Sequence, residues 1–291
     1  MDSAEFSQRI ARNGLLFDGA MGSVLFKEQL PQDKPSEYWN LERPDIVRNI
    51  HRAYIRAGCQ VITTNTFGAS PPKLEKSGFT ERIAEFNTAA AEIAREAAGT
   101  DVLVAGDIGP CGEMLAPYGT LTPDQAADGF RRQAEALEKG TVDFFLVETM
   151  FDQREALAAI QGIREVSSKP IFATLTFSHK AGRFATIMGN HIGDGLRALR
   201  EAGALVVGAN CTIGSEEMVA LAEQMRRELS GFLMVQPNAG HPVVKEGSVV
   251  YPESPEIFAD NLKAITDIGI EIIGGCCGTT PDYIRRIATM R

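Results

Sequence analysis

Three cysteines stand where they could share one metal ion. Cys211, Cys276 and Cys277 each come at the end of a short, strongly apolar run of residues. Thiolates are soft ligands that suit zinc, and three of them without an obvious fourth protein ligand leave one coordination position open. An open position on zinc indicates a site for chemistry, because a substrate atom can bind there.

The adjacent pair places a condition on the backbone. Neighbouring residues of a regular strand point to opposite faces, so Cys276 and Cys277 can bind one metal ion only if the chain turns there. Gly274, Gly275 and Gly278 supply the freedom for such a turn. The competing interpretation is that these cysteines are ordinary buried core residues. The glycines favour the metal site, because packing alone does not need them.

Eight apolar runs recur along the chain, and each is followed by a segment with a helical pattern. The runs do not alternate cleanly between apolar and polar residues, which is typical of strands buried on both faces of a parallel sheet. They cover residues 15–20, 60–67, 102–109, 142–150, 170–177, 205–212, 232–239 and 270–276. Eight strand–helix units predict a (β/α)8 or TIM barrel as a single domain over residues 1–291, with a doubly wound sheet as the alternative.

One helical segment, residues 44–57, carries a clear apolar stripe. The stripe consists of Ile46, Ile50, Ala53 and Ile55. It predicts that this side of the helix faces the barrel. His51 and His191 also lie in helical patterns, and we expect both at the surface.

Composition and charge narrow the class of protein. The chain has 291 residues, 44% hydrophobic and 23% charged, which is ordinary for a soluble globular protein. The net charge of −9 speaks against a nucleic-acid partner and against an anionic membrane surface. No run approaches the roughly 18 apolar residues of a membrane helix. An odd number of cysteines, two of them adjacent, favours a reducing compartment, and we expect a cytoplasmic protein that could form a homo-oligomer.

A barrel brings the carboxyl ends of all its strands to one face, and polar residues gather at those ends. Asp18 and Gly19 follow the first strand, Thr66 the second, Glu148 ends the fourth and Asn238 the seventh. A carboxylate at the end of an apolar run is costly unless it is paired or functional. Glu148 is therefore predicted to bind a substrate ammonium group, with a salt bridge inside the barrel as the alternative.

The other strand-end residues are candidates for the same site. Asp18 could bind a substrate amine or only stabilise its turn, and the backbone N–H groups near Gly19 could hold a carboxylate. Thr66 is a candidate substrate contact. Asn238 could offer an oxygen to the metal before substrate arrives, or serve only its own turn.

These motifs resemble those of the homocysteine S-methyltransferase family. The resemblance runs over nearly the whole chain, from Asp18-Gly19 to the threonines and proline at 279–281. Its most specific part is the block Gly-Gly-Cys-Cys-Gly-Thr-Thr-Pro at 274–281, together with the upstream pair Asn210-Cys211. The family includes the N-terminal module of cobalamin-dependent methionine synthase and the betaine–homocysteine methyltransferases.

The resemblance implies a function, a cofactor and a set of site residues. A (β/α)8 barrel would hold Zn²⁺ and activate homocysteine as a zinc-bound thiolate, which is methylated to methionine. The implied zinc ligands and catalytic residues are Cys211, Cys276 and Cys277, with Glu148. Asp18, Gly19 and Glu148 would hold the amino-acid end of homocysteine. Asn238 matches a position that binds zinc in the absence of substrate.

The methyl donor is less well specified by the resemblance. Several strand ends look like the cobalamin-dependent module, whereas the loop around Trp39 looks like bacterial enzymes described as betaine-using. Thr149 stands where the animal betaine enzymes have an aromatic residue. We expect a betaine-type or corrinoid-borne methyl group, the corrinoid arriving on a separate protein because the chain ends at Arg291.

Other functions fit the same residues. S-methylmethionine could be the donor, and selenohomocysteine or selenocysteine could be the acceptor. A zinc-storing or regulatory barrel is the interpretation without catalysis. The presence of both Asp18 and Glu148 argues against that interpretation, because metal storage needs no amino-acid pocket.

Overall fold

Eight parallel strands form the sheet that organises the chain. The computed structural model describes residues 3–26, 34–180, 182–245 and 248–290. The strands are β1 (Leu15–Leu16), β2 (Val61–Thr63), β3 (Leu103–Ile108), β4 (Phe144–Met150), β5 (Ile171–Leu175), β6 (Val206–Gly214), β7 (Leu233–Asn238) and β8 (Ile272–Ile273). Each strand from β2 to β6 pairs in parallel with the next, β6 with β7, β7 with β8, and β8 with β1.

The gap between β1 and β2 is closed at the strand ends. Phe17 and Val61 form a parallel bridge, and the Asp18 N–H donates to the Val61 carbonyl at 3.0 Å. The sheet therefore closes on itself, which confirms the predicted (β/α)8 barrel and excludes the doubly wound sheet. Every strand overlaps one of the eight predicted apolar runs.

One helix follows each strand and covers the outside of the barrel. These helices are α1 (Pro44–Ala57), α2 (Ile83–Ala98), α3 (Pro123–Lys139), α4 (Gln153–Arg164), α5 (Ile192–Glu201), α6 (Ser215–Glu228), α7 (Pro255–Asp267) and α8 (Pro281–Ala288). The start of α3 shows how local sequence sets a boundary. The Thr122 hydroxyl accepts from the Gln125 N–H at 3.2 Å, and the Gln125 side chain accepts from the Thr122 N–H at 2.9 Å.

The remaining elements lie before β1 and in the loops that follow the strands. A helix covers Ser3–Asn13, and shorter helices cover Gly22–Leu25, Trp39–Glu42 and Pro71–Lys76. Two hairpins, Ser178–Lys180 with Arg183–Ala185 and Val243–Lys245 with Ser248–Val250, follow β5 and β7. Within the described ranges, no helix is long and apolar enough to cross a membrane.

The N-terminal helix Ser3–Asn13 plugs the amino end of the barrel. Phe6 and Ile10, one turn apart on one face, are its buried residues. The Phe6 ring centroid lies 5.1 Å from that of Phe144 and 5.9 Å from that of Phe172, inside the barrel. The polar composition of this segment hides the role, because only two of its residues are large and apolar. The plug leaves the carboxyl end as the open mouth.

The face of α1 that is buried differs from the apolar stripe that the sequence predicts for this helix. The residues that α1 buries are Val47, Ile50, His51, Tyr54 and Ala57. Tyr54 sets this phase, because its hydroxyl reaches inward to the Ala20 carbonyl at 2.9 Å. The surface prediction for His51 is therefore wrong, because its side chain is fully buried. Burial lowers its pKa to about 4, and neither ring nitrogen has a hydrogen-bond partner among the described residues. His191 is exposed at the start of α5, as expected.

The plug yields a stability prediction. Replacing Phe6 with Ala should lower the free energy of unfolding by about 3–5 kcal/mol, because it opens a cavity between fully buried rings. Phe26→Ala, at a side chain that is 74% exposed, is the control and should change little. Urea denaturation of the two variants measures the difference. Equal midpoints would show that the helix does not plug the barrel.

Candidate metal and substrate site

The three cysteines converge at the mouth of the barrel. The sulfur atoms of Cys211, Cys276 and Cys277 all lie within 4.8 Å of one another. Those of Cys211 and Cys277 are 3.8 Å apart. Among the described residues this is the only group of three or more His, Cys, Asp or Glu side chains arranged to hold a metal ion. Strands β6 and β8 thus deliver their thiols to one point.

The chain turns at the adjacent pair as the glycines predicted. Strand β8 ends at Ile273, and Gly278 adopts a left-handed φ of 83°. A side chain at Gly278 would place its Cβ 2.2 Å from the Tyr251 ring, so only glycine fits. Thr279 secures the turn, because its hydroxyl donates to the Cys276 carbonyl at 2.7 Å. Thr279 lies in the most specific motif of the sequence, but its position there did not predict this role.

Cys211 reaches the cluster through a β-bulge in β6 whose left-handed residues are not glycines. Cys211 and Thr212 have left-handed φ values of 60° and 66°, and the register with β7 shifts between Asn210 and Gly214. Non-glycine residues in this region cost about 1–3 kcal/mol each and concentrate at functional sites. The bulge is how β6 directs this sulfur toward the pair on the other side of β7.

Close approach of the thiols controls their ionisation. Hydrogen bonds from Cys211 and Cys276 lower the pKa of Cys277 to about 3. The pKa of Cys276 is raised, because its S–H is donated to Cys211 and Cys277. The cluster by itself therefore accommodates one thiolate, and ionising all three thiols requires a cation among them.

The donor set fits a zinc-type ion. Three thiolates are the soft ligands that zinc takes in protein sites. Asn238, at the end of β7 between the cysteine-bearing strands, is 4% exposed, and its Oδ1 atom has no hydrogen-bond partner in the part of the chain that the structure describes. An unpaired buried oxygen is costly unless something binds it. A role for this oxygen as a metal ligand stays a prediction.

Glu148 lies at the mouth without a direct ion-pair partner among the described residues, and of their charges only the more distant one of Lys73 favours its ionised form. Burial, then the negative charges of Cys277 and Asp18, raise its pKa to about 8. Its Oε2 atom accepts a hydrogen bond from Asn210 Nδ2 at 2.9 Å. Among the described residues it has no salt-bridge partner, so the salt bridge inside the barrel does not form. The arrangement suits a carboxylate that meets a cation brought by a ligand.

Three other predicted substrate contacts are already engaged with the protein. Asp18 accepts from the Thr63 N–H at 2.8 Å and from the Thr63 hydroxyl at 2.9 Å, and burial raises its pKa to about 7. A Cβ at Gly19 would lie 2.5 Å from the Thr279 hydroxyl. The Thr66 hydroxyl donates to the Asp107 carbonyl at 2.7 Å. These residues shape the mouth, and their contacts with substrate stay predictions.

Asp107 is a buried carboxylate that sequence analysis did not single out. It is the last residue but one of β3, is 3% exposed, and its Oδ1 atom has no hydrogen-bond partner within the described ranges. Burial, then the charges of Glu148 and Glu37, hold its pKa well above the usual range. Its place at a strand end was the available signal.

The tryptophan of the first long loop does not line the mouth. Trp39 is 4% exposed and packs inside the core. The more exposed aromatic side chains in the loops after β2 and β3 are Phe67 and Tyr118.

A closed (β/α)8 barrel whose mouth carries three convergent thiols and several buried carboxylates defines a candidate metal-dependent enzyme. The sequence profile of the homocysteine S-methyltransferase family matches residues 15–291. The chain belongs to this family, and it is an enzyme of the homocysteine S-methyltransferase class.

The proteins that resemble this chain in sequence include two methionine synthases. It is 32% identical over 302 residues to a methionine synthase of Mycobacterium tuberculosis and 31% identical over 299 residues to one of Mycobacterium leprae. Each alignment covers 97% of this chain and 24% of the relative, so the chain spans about a quarter of those proteins.

Solved structures share the fold. The metallated form of the homocysteine methyltransferase MmuM from Escherichia coli has a TM-score of 0.80 at 24% identity, covering 96% of this chain and 97% of that one. The carboxyl transferase domain of Rhizobium etli pyruvate carboxylase has a TM-score of 0.57 at 15% identity, covering 99% and 49%. The second likeness shows that the barrel alone does not specify the reaction.

The raised pKa of Asp18 predicts how pH changes stability without metal or substrate. Between the unfolded value near 3.9 and the folded value of about 7, the folded state binds the extra proton, so unfolding becomes easier as pH rises. Asp18→Asn can keep both contacts with Thr63 and removes the charge. The variant should match the parent near pH 4 and melt roughly 5 °C higher at pH 8. Thermal scans in a chelator test this, and parallel pH profiles would contradict it.

Proposed function

We propose that the protein transfers a methyl group to the sulfur of homocysteine, giving methionine, with Zn²⁺ held by Cys211, Cys276 and Cys277. The observation that carries the proposal is the convergence of three thiols within 4.8 Å at the mouth of a barrel of this family. When bound, zinc would supply the positive charge that keeps a substrate thiol ionised at neutral pH.

The carboxylates give the site its preference for an amino-acid thiol. Among the described residues Glu148 forms no salt bridge, although the charge of Lys73 acts on it from a distance, and Asp107 Oδ1 has no hydrogen-bond partner. The ammonium group of homocysteine would bring the missing positive charge to Glu148, with Asp18 adding to the negative field. Gly19, Thr66 and Asn238 complete the contacts that we assign to the substrate. A metal store would gain nothing from these buried charges, which disfavours that alternative.

Transfer itself needs orientation more than further catalytic groups. A sulfur lone pair forms the new bond to the methyl carbon, and the electron pair of the broken bond leaves with the donor. Holding the ammonium at Glu148 fixes the direction of the sulfur, which removes much of the entropy cost of reaching an in-line geometry.

We propose a betaine-type or corrinoid-borne methyl group as the donor. Exposed apolar side chains rim the mouth, among them Phe67, Met114, Tyr118 and Val244. Such a rim suits a large donor or a separate corrinoid protein that carries one. S-methylmethionine as donor and selenohomocysteine or selenocysteine as acceptor are the alternatives. A reducing cytoplasm would keep the thiols available.

A donor screen tests the proposed function. Zinc-loaded protein is mixed with homocysteine and, in parallel, with betaine, S-methylmethionine or a methylcorrinoid, and methionine is measured. We expect methionine from betaine or the methylcorrinoid. Methionine from S-methylmethionine alone would overturn the donor assignment, and none from any donor would overturn the function.

The metal ligands yield a second prediction. Cys276→Ala should lose stoichiometric zinc and lower methionine formation by about a thousandfold, because two thiolates and an amide oxygen bind zinc poorly. Cys59→Ala, at a buried cysteine outside the cluster, is the control and should keep both. Metal analysis and the transfer assay check the pair. A Cys276→Ala protein with full zinc and full activity would refute the site.

The counter-ion role of Glu148 yields a third prediction. Glu148→Gln should raise the KM for homocysteine about 10- to 100-fold with zinc retained, because a charged hydrogen bond is worth about 1.5–3 kcal/mol. Glu113→Gln makes the same change at a side chain exposed in the loop after β3 and should leave KM unaltered. Steady-state kinetics measure both variants. An unchanged KM in Glu148→Gln would place the ammonium elsewhere.

A further inference from the structure

Asn210 makes more hydrogen bonds at the mouth than its position beside Cys211 suggests. It is fully buried. Its Oδ1 atom accepts from the Thr149 N–H at 2.8 Å and from the Thr174 hydroxyl at 2.7 Å. Its Nδ2 atom contacts Glu148 Oε2 at 2.9 Å and the Thr149 hydroxyl at 2.7 Å, and lies 3.9 Å from the Cys276 sulfur. The Asn210 side chain therefore contacts both Glu148, which we propose binds the substrate ammonium group, and Cys276, a proposed metal ligand.

The orientation of this amide is imposed by its surroundings. A backbone N–H can only donate, so the atom that faces the Thr149 N–H must be the Asn210 oxygen. The NH₂ group is then the one directed at Glu148 and Cys276. Both of these partners accept hydrogen bonds when they are ionised, which is the state that binding of an ammonium group and a metal requires.

The Asn210 side chain also accepts a backbone hydrogen bond where strands β4 and β6 depart from regular sheet geometry. Strand β4 shifts register between Val147 and Met150, and Thr149 has a left-handed φ of 59°. The Thr149 N–H donates to the Asn210 side chain. Residue Cys211, directly after Asn210, begins the bulge of β6. The amide therefore joins two strained strand ends, one bearing Glu148 and the other a metal ligand.

A substrate with two ends makes that connection important. The nitrogen and sulfur of homocysteine are separated by a fixed number of bonds, so its ammonium and thiol reach their partners together only if those partners keep a set spacing. An error of about 1 Å in such spacing can cost 100-fold in rate. A side chain that bonds one partner and contacts the other can set this distance.

We propose that Asn210 is a positioning residue, which holds the Glu148 carboxylate at the spacing from the metal-binding cysteines that homocysteine spans. This rests on the proposed function. The carboxylate, not the fold, is the group through which Asn210 acts on substrate binding.

The isosteric change Asn210→Asp tests the role. The new carboxylate keeps an oxygen for Thr149 and Thr174, loses the donor to Glu148 and repels it. With zinc loaded, the dissociation constant of homocysteine, measured by calorimetry, should rise about 10- to 100-fold, while zinc content stays at one per chain. Asn87→Asp, at another fully buried amide bonded to the Ala69 and Ile83 carbonyls, is the control for burying a charge. It should lower stability without changing homocysteine affinity.

A double variant separates positioning from a merely structural effect. In Glu148→Gln protein the glutamine can donate to an aspartate at position 210, so adding Asn210→Asp should weaken homocysteine binding less than threefold further. Effects that simply add, or an Asn210→Asp protein that binds like the parent, would overturn the proposal and leave the proposed function standing. A zinc-loaded parent protein that binds no homocysteine would overturn both.

Discussion

Repulsion between like charges is the constraint on which this structure depends. Three thiols lie within 4.8 Å of one another, and three buried carboxylates with raised pKa values, those of Asp18, Asp107 and Glu148, lie on the same face. Few of these groups can ionise together in the protein alone. In the function that we propose, a cation among the thiols and an ammonium group at Glu148 would relieve the repulsion in both sets. The site is therefore built to be completed by its ligands, and the barrel must hold it together until they bind.

The barrel supplies that rigidity from its two ends. At the amino end, Phe6 of the N-terminal helix packs among the aromatic rings inside the strands. At the carboxyl end, the backbone is strained at Thr149, Cys211 and Thr212, which are non-glycine residues with left-handed φ values. Side-chain hydrogen bonds from Asn210 stabilise one of these departures from regular sheet. The tightly packed interior of the barrel therefore supports the strained backbone at the mouth.

Much of this arrangement could be predicted from the sequence, and the rest could not for identifiable reasons. Eight apolar runs were enough for the barrel, and two motifs were enough to bring the three cysteines to one rim. The bulge at Cys211 was invisible, because no glycine marks it. The burial of His51 was missed because the phase of α1 is set by Tyr54, which bonds a loop distant in sequence. Asp107 and Asn210 needed three-dimensional contacts to stand out from their motifs. The roles of Asp18, Gly19 and Thr66 toward substrate stay predictions.

We propose above all that three cysteines hold a zinc ion whose open position takes the sulfur of homocysteine. X-ray absorption at the zinc edge counts sulfur neighbours of the metal directly. We expect three sulfurs and one lighter atom around zinc in the zinc-loaded protein, and four sulfurs once homocysteine is added. Fewer than three sulfurs before addition, or an unchanged count after saturation with homocysteine, would contradict it.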